Sequence, residues 1–322
     1  MEIKKSPAKI IAKIAACAVL LFFGGVLIIF PDRYLSVCFD GLCLWAESVL
    51  PSLFPFMIIT LLLIKLGAAQ VAAKPFGRIS KKLKLPNVGV PLFLMSVFSG
   101  YPAGSRILYE YCEQGLIDRS EAKKLAPLLS TCGPLFALGT VGARAFGGGT
   151  AGVKLLSACL ISVVSTSLLY CLFSGRKQEP PPLKKLNPDG GDALYSSFYG
   201  GVTACLVAGG FICFFYTLSQ VIADFNVFKP LSAALSPLFG QEAAGGLCLG
   251  LCEATGGCFA VARAGGFFAL PLAGFLLTFG GASILLQQLC YLTKCGIKPA
   301  FFIGFKFLQG VLALGLLCLF SL

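Results

Sequence analysis

The sequence predicts an all-α polytopic membrane protein built from two inverted halves, each carrying a re-entrant helical hairpin, with about seven full spans. Three observations carry that expectation. First, 57% of the 322 residues are apolar and only 12% are charged, about half the charged share of an ordinary soluble domain. Second, apolar runs of about 20 residues, the length that crosses a bilayer, recur along the chain. Third, two of those runs are broken at their centres by Gly, Pro and polar residues, at corresponding places in the two halves. A formal charge of +12 taken alone suits a nucleic-acid partner, but so few charges in so apolar a chain fit a membrane protein obeying a charge-asymmetry rule. The chain has no histidine, which excludes His-based acid–base chemistry, Ser-His-Asp triads and His-ligated metals. No nucleotide loop of the form GxxxxGK[ST] is present. An enzyme and a cofactor are therefore not expected. Most of the 15 cysteines fall inside apolar runs with no CxxC, and are read as small buried hydrophobes.

The elements follow in order. Residues 10–30 form an apolar run preceded by Lys4, Lys5 and Lys9 and carrying Lys13 near its start, too long for a signal-peptide core and read as a retained first span. Residues 1–40 are taken as this span and an external loop. Residues 41–175 are taken as the first repeat. Its first apolar stretch, 41–66, contains Glu47, Pro51 and Pro55. A basic connector reaches Lys84 and serves as a topology determinant that can also meet anionic lipid headgroups. The run 88–111 is broken at Ser99-Gly100-Tyr101-Pro102-Ala103-Gly104-Ser105. A polar insert follows, with Asp118 or Ser120 placed to cap a helix. The run 125–146 breaks at Cys132-Gly133-Pro134, and 153–173 is an unbroken span. Residues 176–192, with Pro180-Pro181-Pro182, form a cytoplasmic linker. The second repeat, 193–322, has a long run to 222, a run from 245 to 264 broken at Glu253-Ala254-Thr255-Gly256-Gly257, a span marked by Gly280-Gly281, and a last span from 299.

Offsets support the duplication. Gly100 and Glu253 are 153 residues apart, and Gly133 and Gly280 are 147 apart. Interrupted segments at matching positions in two halves are a pointer to a transporter binding site. Basic residues decide whether these segments cross. If both are hairpins, 20 Lys and Arg fall on one side and 5 on the other, with Lys306 inside a span. If both cross, the division is 15 to 10 and the basic linker lies on the wrong face. The hairpin arrangement fits the inside bias, and it turns the two halves into inverted repeats whose tips meet around a polar centre.

Candidate binding residues follow from that geometry. Gly100, Pro102 and Gly104 break the helix. Ser99, Tyr101, Ser105 and freed amides then supply polar groups, and adjoining helix N-termini suit a carboxylate. Arg106 could add a bidentate contact. Thr131 and Gly133 give the first-half span a kink, as Gly280 and Ser283 do in the second. Of Gln287 and Gln288, one is expected at the cavity and the other at the headgroups. Glu253, beside Thr255 and Gly256, is the most costly residue, since a carboxylate at membrane depth costs on the order of 2.5–3.5 kcal/mol. It is read as a site for a coupled H+ or Na+, or as an acceptor for a substrate donor. Glu47 is expected at the outer interface, and Lys306 is expected to snorkel to the inner one.

Several of these stretches together resemble a known family. Leu50-Pro51-Ser52-Leu53-Phe54-Pro55-Phe56, the Ser99–Gly104 stretch, Ser130-Thr131-Cys132-Gly133-Pro134-Leu135-Phe136, Glu253–Gly257, Phe279-Gly280-Gly281-Ala282-Ser283 and Gln287-Gln288 are similar to the YlbJ, or SpoVV, family of sporulation integral membrane proteins. That family falls within the "nucleoside recognition" or Gate-domain membrane proteins. The resemblance runs from about Gly41 to Phe320. It implies a carrier in the outer forespore membrane of a sporulating bacterium, moving dipicolinic acid by alternating access. Two other readings stay open: a nucleoside or other neutral-solute transporter, and a non-transporting protein needed for spore envelope assembly. No nucleic-acid partner is expected; the oligomeric state is not specified by the sequence.

Overall fold

The computed structural model describes residues 7–174 and 190–322, with side chains for 13–174 and 192–322. Lys4, Lys5, most of the linker with its Pro180–Pro182 run, and Lys185 lie outside the described residues. Every regular element among the described residues is helical. In order they are α1 (Pro7–Ile29), α2 (Pro31–Leu44), a π-helical turn π1 (Trp45–Val49), α3 (Leu50–Lys65), α4 (Ala68–Lys82), α5 (Gly89–Ser99), α6 (Ala103–Glu113), α7 (Arg119–Leu128), a π-helical segment π2 (Phe136–Ala145) and α8 (Ala151–Phe173). The second half holds α9 (Gly190–Asp224), α10 (Lys229–Phe239), α11 (Gln241–Cys252), α12 (Ala254–Ala264), α13 (Ala269–Phe279), α14 (Gly281–Leu292) and α15 (Pro299–Ser321).

Five helical stretches have the length and apolarity to cross a membrane: Pro31–Lys65, Ala151–Phe173, Asp192–Asp224, Ala269–Leu292 and Pro299–Ser321. At 1.5 Å per residue, even the 23-residue members exceed the ~30 Å hydrocarbon thickness. α1 is also 23 residues long, and its part from Lys13 to Ile29 is apolar. α7 and π2 follow one another across a break with no regular secondary structure at residues 130–133. Large apolar side chains such as Leu21, Ile28 and Phe173 are 77%, 80% and 87% exposed, which only a lipid surround tolerates on this scale. Residues 31–40, expected as an external loop, are instead helical. Pro31 opens α2 at N1, where its missing N–H costs nothing, and α2 runs through π1 into α3 as one rod.

The two interrupted segments are hairpins. Lys124, after α6, donates to the carbonyl of Lys84, before α5, at 3.5 Å, so the chain leaves at the end it entered. Ser96 and Gly104 face each other across the tip, and a methyl on Gly104 would come 3.0 Å from Ser96 Cβ. α11 and α12 pack along their length: a methyl on Gly246 would lie 2.9 Å from the amide nitrogen of Val261. Asp118 caps α7 in a full capping box with Glu121, as the polar insert predicts.

Contacts of the basic residues separate the two ends. At one end Lys65 reaches Ser196, Lys84 the carbonyl of Leu172, and Arg119 the carbonyl of Gly296. There too Lys294 lies over the Tyr109 ring and Lys123 over Phe301. At the other end Arg33 pairs with Asp224, Arg144 with Glu47, and Lys154 with the carbonyl of Phe320. Glu47 lies within the continuous α2–π1–α3 rod, where it pairs with Arg144 at 3.3 Å. Each contact joins residues that the hairpin arrangement puts on one side. The expected orientation has the Lys-rich end cytoplasmic. An impermeant thiol reagent on intact cells should label Arg263→Cys above the native-thiol background and label Lys84→Cys only after permeabilisation. Labelling in the reverse order would invert the orientation.

Candidate functional site

Gly and Pro positions set the local geometry. α5 ends at Gly100, which has φ +69° and ψ −173°, a region open in practice only to glycine. Pro102 then begins the turn into α6. After α7, residues 131–133 have no regular secondary structure, and the backbone re-enters a helix at Pro134. In the second half Gly280, at φ +95°, ends α13 and starts α14. The breaks and tips then interlock. A methyl on Gly100 would sit 2.6 Å from Gly133 N, and one on Gly281 would sit 2.5 Å from the carbonyl oxygen of Gly250. Each tip therefore closes on the broken span of its own half. Crosswise, α6 packs on α14 and α12 packs on π2, the mirrored pairing expected of inverted repeats.

Between the tips lies a cavity lined by Ser99, Gly100, Tyr101 and Pro102 of the first hairpin and Thr255 of the second. Gly133 and Phe136 come from the first break, Ile284 and Gln287 from α14, Ser52 and Leu53 from α3, and Ala208 and Ile212 from α9. Its free volume is about 40 Å³, room for a few waters. No charged side chain is among these lining residues. The N-termini of α6 and π2 abut the cavity through Pro102 and Phe136, and neither has a side-chain cap.

Six residues singled out in the sequence thus share the cavity: Ser99, Gly100, Tyr101, Gly133, Thr255 and Gln287. Others hold its walls. Tyr101 also donates its hydroxyl to the carbonyl of Leu277 at 3.1 Å, near the end of α13. Thr131 donates to the carbonyl of Ser96 at 3.2 Å. Gln287 donates to Ser283 at 3.3 Å. Ser105 donates to Gln288 Oε1 at 3.1 Å. Gln288 is therefore fully buried, a correction to its expected headgroup position: α6 covers that face of α14. Gly104 lets the carbonyl of Leu129 approach so closely that no Cβ fits.

Two charged residues are placed differently from expectation. Arg106 does not reach the cavity. Its Nη1 donates to the carbonyl of Gly200 at 2.6 Å and its Nε to Glu110 at 3.2 Å, so it ties α6 to α9 at the Lys-rich end. Lys306 does not snorkel. It is 1% exposed, and its Nζ donates to the carbonyl of Ser130 at 2.9 Å, in the break after α7. α15 is apolar around its circumference, so nothing in the sequence showed which way this lysine faces.

Glu253 is also buried, at 1% exposure. It is the N-cap of α12: Oε1 accepts from the Thr255 N–H at 3.0 Å and Oε2 from the Gly256 N–H at 2.6 Å. Its charge faces two of the free amides and the positive end of the half-helix. It also borders a second cavity, of about 210 Å³, lined by Tyr216, Ser219, Gln220, Gly256 and Arg263. Thr255 faces the central cavity while Glu253 and Gly256 face this vestibule, so the second hairpin tip is the partition between them. The reading from sequence missed the α3 and α9 wall and the vestibule. Ser52, a polar residue beside Pro51 in an apolar run, was the available signal for the wall.

These features define a polytopic α-helical membrane protein with inverted, hairpin-bearing repeats around a midplane cavity. Its sequence is 29% identical over 332 aligned positions to the sporulation integral membrane protein YlbJ of Bacillus subtilis (strain 168), covering 91% of this chain and 79% of the relative. The match supports the resemblance to the YlbJ family read from the motifs, and makes the chain a relative of a sporulation integral membrane protein. No family model matches the chain. No solved structure matches it.

Proposed function

We propose that the chain is a carrier for a small anionic solute, with dipicolinate as the substrate, taken from mother cell to forespore across the outer forespore membrane by alternating access. The observation that carries this reading is the midplane cavity walled by two oppositely inserted hairpin tips, with the uncapped N-termini of α6 and π2 at its edge. Free N–H groups at a half-helix N-terminus favour negative groups, and discontinuous helices at a repeat interface are where such carriers bind substrate. Tyr101 and Phe136 offer aromatic faces for a planar ring. Ser52, Ser99, Thr255 and Gln287 supply hydrogen bonds. Coupling to H+ or Na+ would drive accumulation.

The absence of a charged side chain from the lining favours a second reading, a neutral solute such as a nucleoside. One experiment separates them. Purified protein in liposomes should take up radiolabelled dipicolinate well above empty liposomes, with competition by other aromatic dicarboxylates and not by nucleosides. Nucleoside competition alone would select the second reading. Absence of uptake of either by a folded sample would favour the envelope-assembly role.

A further inference from the structure

The break after α7 leaves the C-terminal end of a half-helix at membrane depth. The last carbonyls of a helix lack N–H partners and carry partial negative charge. In carriers with inverted repeats, such ends and the unwound carbonyls beside them coordinate Na+ or H+. Here the position is filled from within. Lys306 donates to the carbonyl of Ser130 at 2.9 Å, and Gln309, one turn further along α15, donates to the carbonyl of Pro127 at 3.3 Å. No carboxylate lies within ion-pair distance of this ammonium among the described residues. On the elements packed against α15, the titratable groups close to it are the thiols of Cys132 and Cys159, themselves 3.3 Å apart. The Ser130 and Thr278 hydroxyls and the Gln309 amide oxygen are buried with no partner. A lysine in an apolar span, donating to a freed backbone carbonyl and facing no carboxylate, is placed as a bound monovalent cation would be.

We propose that Lys306 is a tethered cation occupying the ion position of the broken first-half span, so that this chain binds no Na+ there and, of the two coupling ions left open above, does not use Na+. The transport half of the inference rests on the carrier reading; the binding half does not.

The test is thermal unfolding of the purified full-length chain in detergent, in NaCl against choline chloride at equal ionic strength. A ligand that binds only the folded state raises the midpoint. The wild-type midpoint should be the same in both salts. Lys306→Ala should unfold at a lower temperature in choline and recover several degrees in Na+, because the vacated space borders the freed Ser130 carbonyl. A wild-type protein stabilised by Na+ would overturn the proposal, and so would a folded Lys306→Ala that ignores Na+. If Lys306→Ala does not fold, the wild-type titration still decides. In liposomes, wild-type uptake should proceed at equal rates in Na+ and choline, and a Na+ requirement would overturn it. Liposomes that take up no solute at all would count against the carrier reading while the unfolding result stood.

Discussion

If the chain is the carrier proposed above, Gly100→Ala should abolish uptake and lower the yield of folded protein, the largest effect expected of a single methyl in this chain. Two independent costs coincide at this residue. Its backbone, at φ +69° and ψ −173°, lies in a region that costs an L-residue about 1–3 kcal/mol. The added Cβ would also lie 2.6 Å from Gly133 N and 2.9 Å from Gly133 Cα. Both are backbone atoms, so no side chain can swing away. Relief requires the first hairpin tip to withdraw from the broken span, which takes Ser99 and Tyr101 out of the cavity wall. Two controls separate the costs. Gly149→Ala has a similar φ of +65° with open space around it, and Gly304→Ala is helical with nothing within 4 Å. Gly149→Ala should show strain alone, as a small loss of stability with uptake retained. Gly304→Ala should behave as wild type. Wild-type uptake by Gly100→Ala would mean that the tip does not close on the break. Gly133 makes a contrast that sequence alone does not offer. A methyl there would meet its nearest neighbour at 3.6 Å, an ordinary contact, so the two glycines face each other but only one is irreplaceable.

The helical plan and the breaks were legible because Gly and Pro act locally. Gly100, Pro134 and Gly280 interrupt helices wherever the chain places them, and apolar run length sets the spans. Hairpin topology was legible for a different reason: basic residues report which end of the bundle each connection occupies, and the contacts of Lys84, Lys124 and Arg119 group as that count requires. What was not legible is the rotation of each helix about its axis. α15 and α9 are apolar on all sides, so no periodicity says which face meets protein and which meets lipid. Lys306 was therefore read as snorkelling, and the α9 wall of the cavity was missed. Arg106 failed for a related reason. Its place four residues beyond Pro102 fixes its depth, but the carbonyl of Gly200 that captures it belongs to the other repeat. The Glu253 position was found from its cost, while its partners were not, because Glu is an unusual N-cap and the amides it accepts lie two and three residues ahead of it.

Glu253→Gln should insert in the membrane normally, unfold at a lower temperature and, if the chain is the proposed carrier, transport several-fold more slowly. The carboxylate spends both oxygens on the first turn of α12. An amide offers one acceptor oxygen, and its NH2 would face an amide donor. One buried N–H is left without a partner, at about 1–3 kcal/mol, and the charge that complements the half-helix dipole is lost, about 0.3–1 kcal/mol or more where buried. The consequence falls on the partition between the vestibule and the central cavity, since the same tip presents Thr255 to one and Gly256 to the other. Glu253→Asp separates positioning from proton or cation handling. Asp keeps the charge and caps helices well, so if positioning dominates, uptake and melting temperature recover together. A variant whose stability recovers while its response to an imposed pH gradient does not would assign Glu253 a part in coupling as well. Normal uptake by Glu253→Gln would remove the residue from the mechanism and leave it as a structural cap.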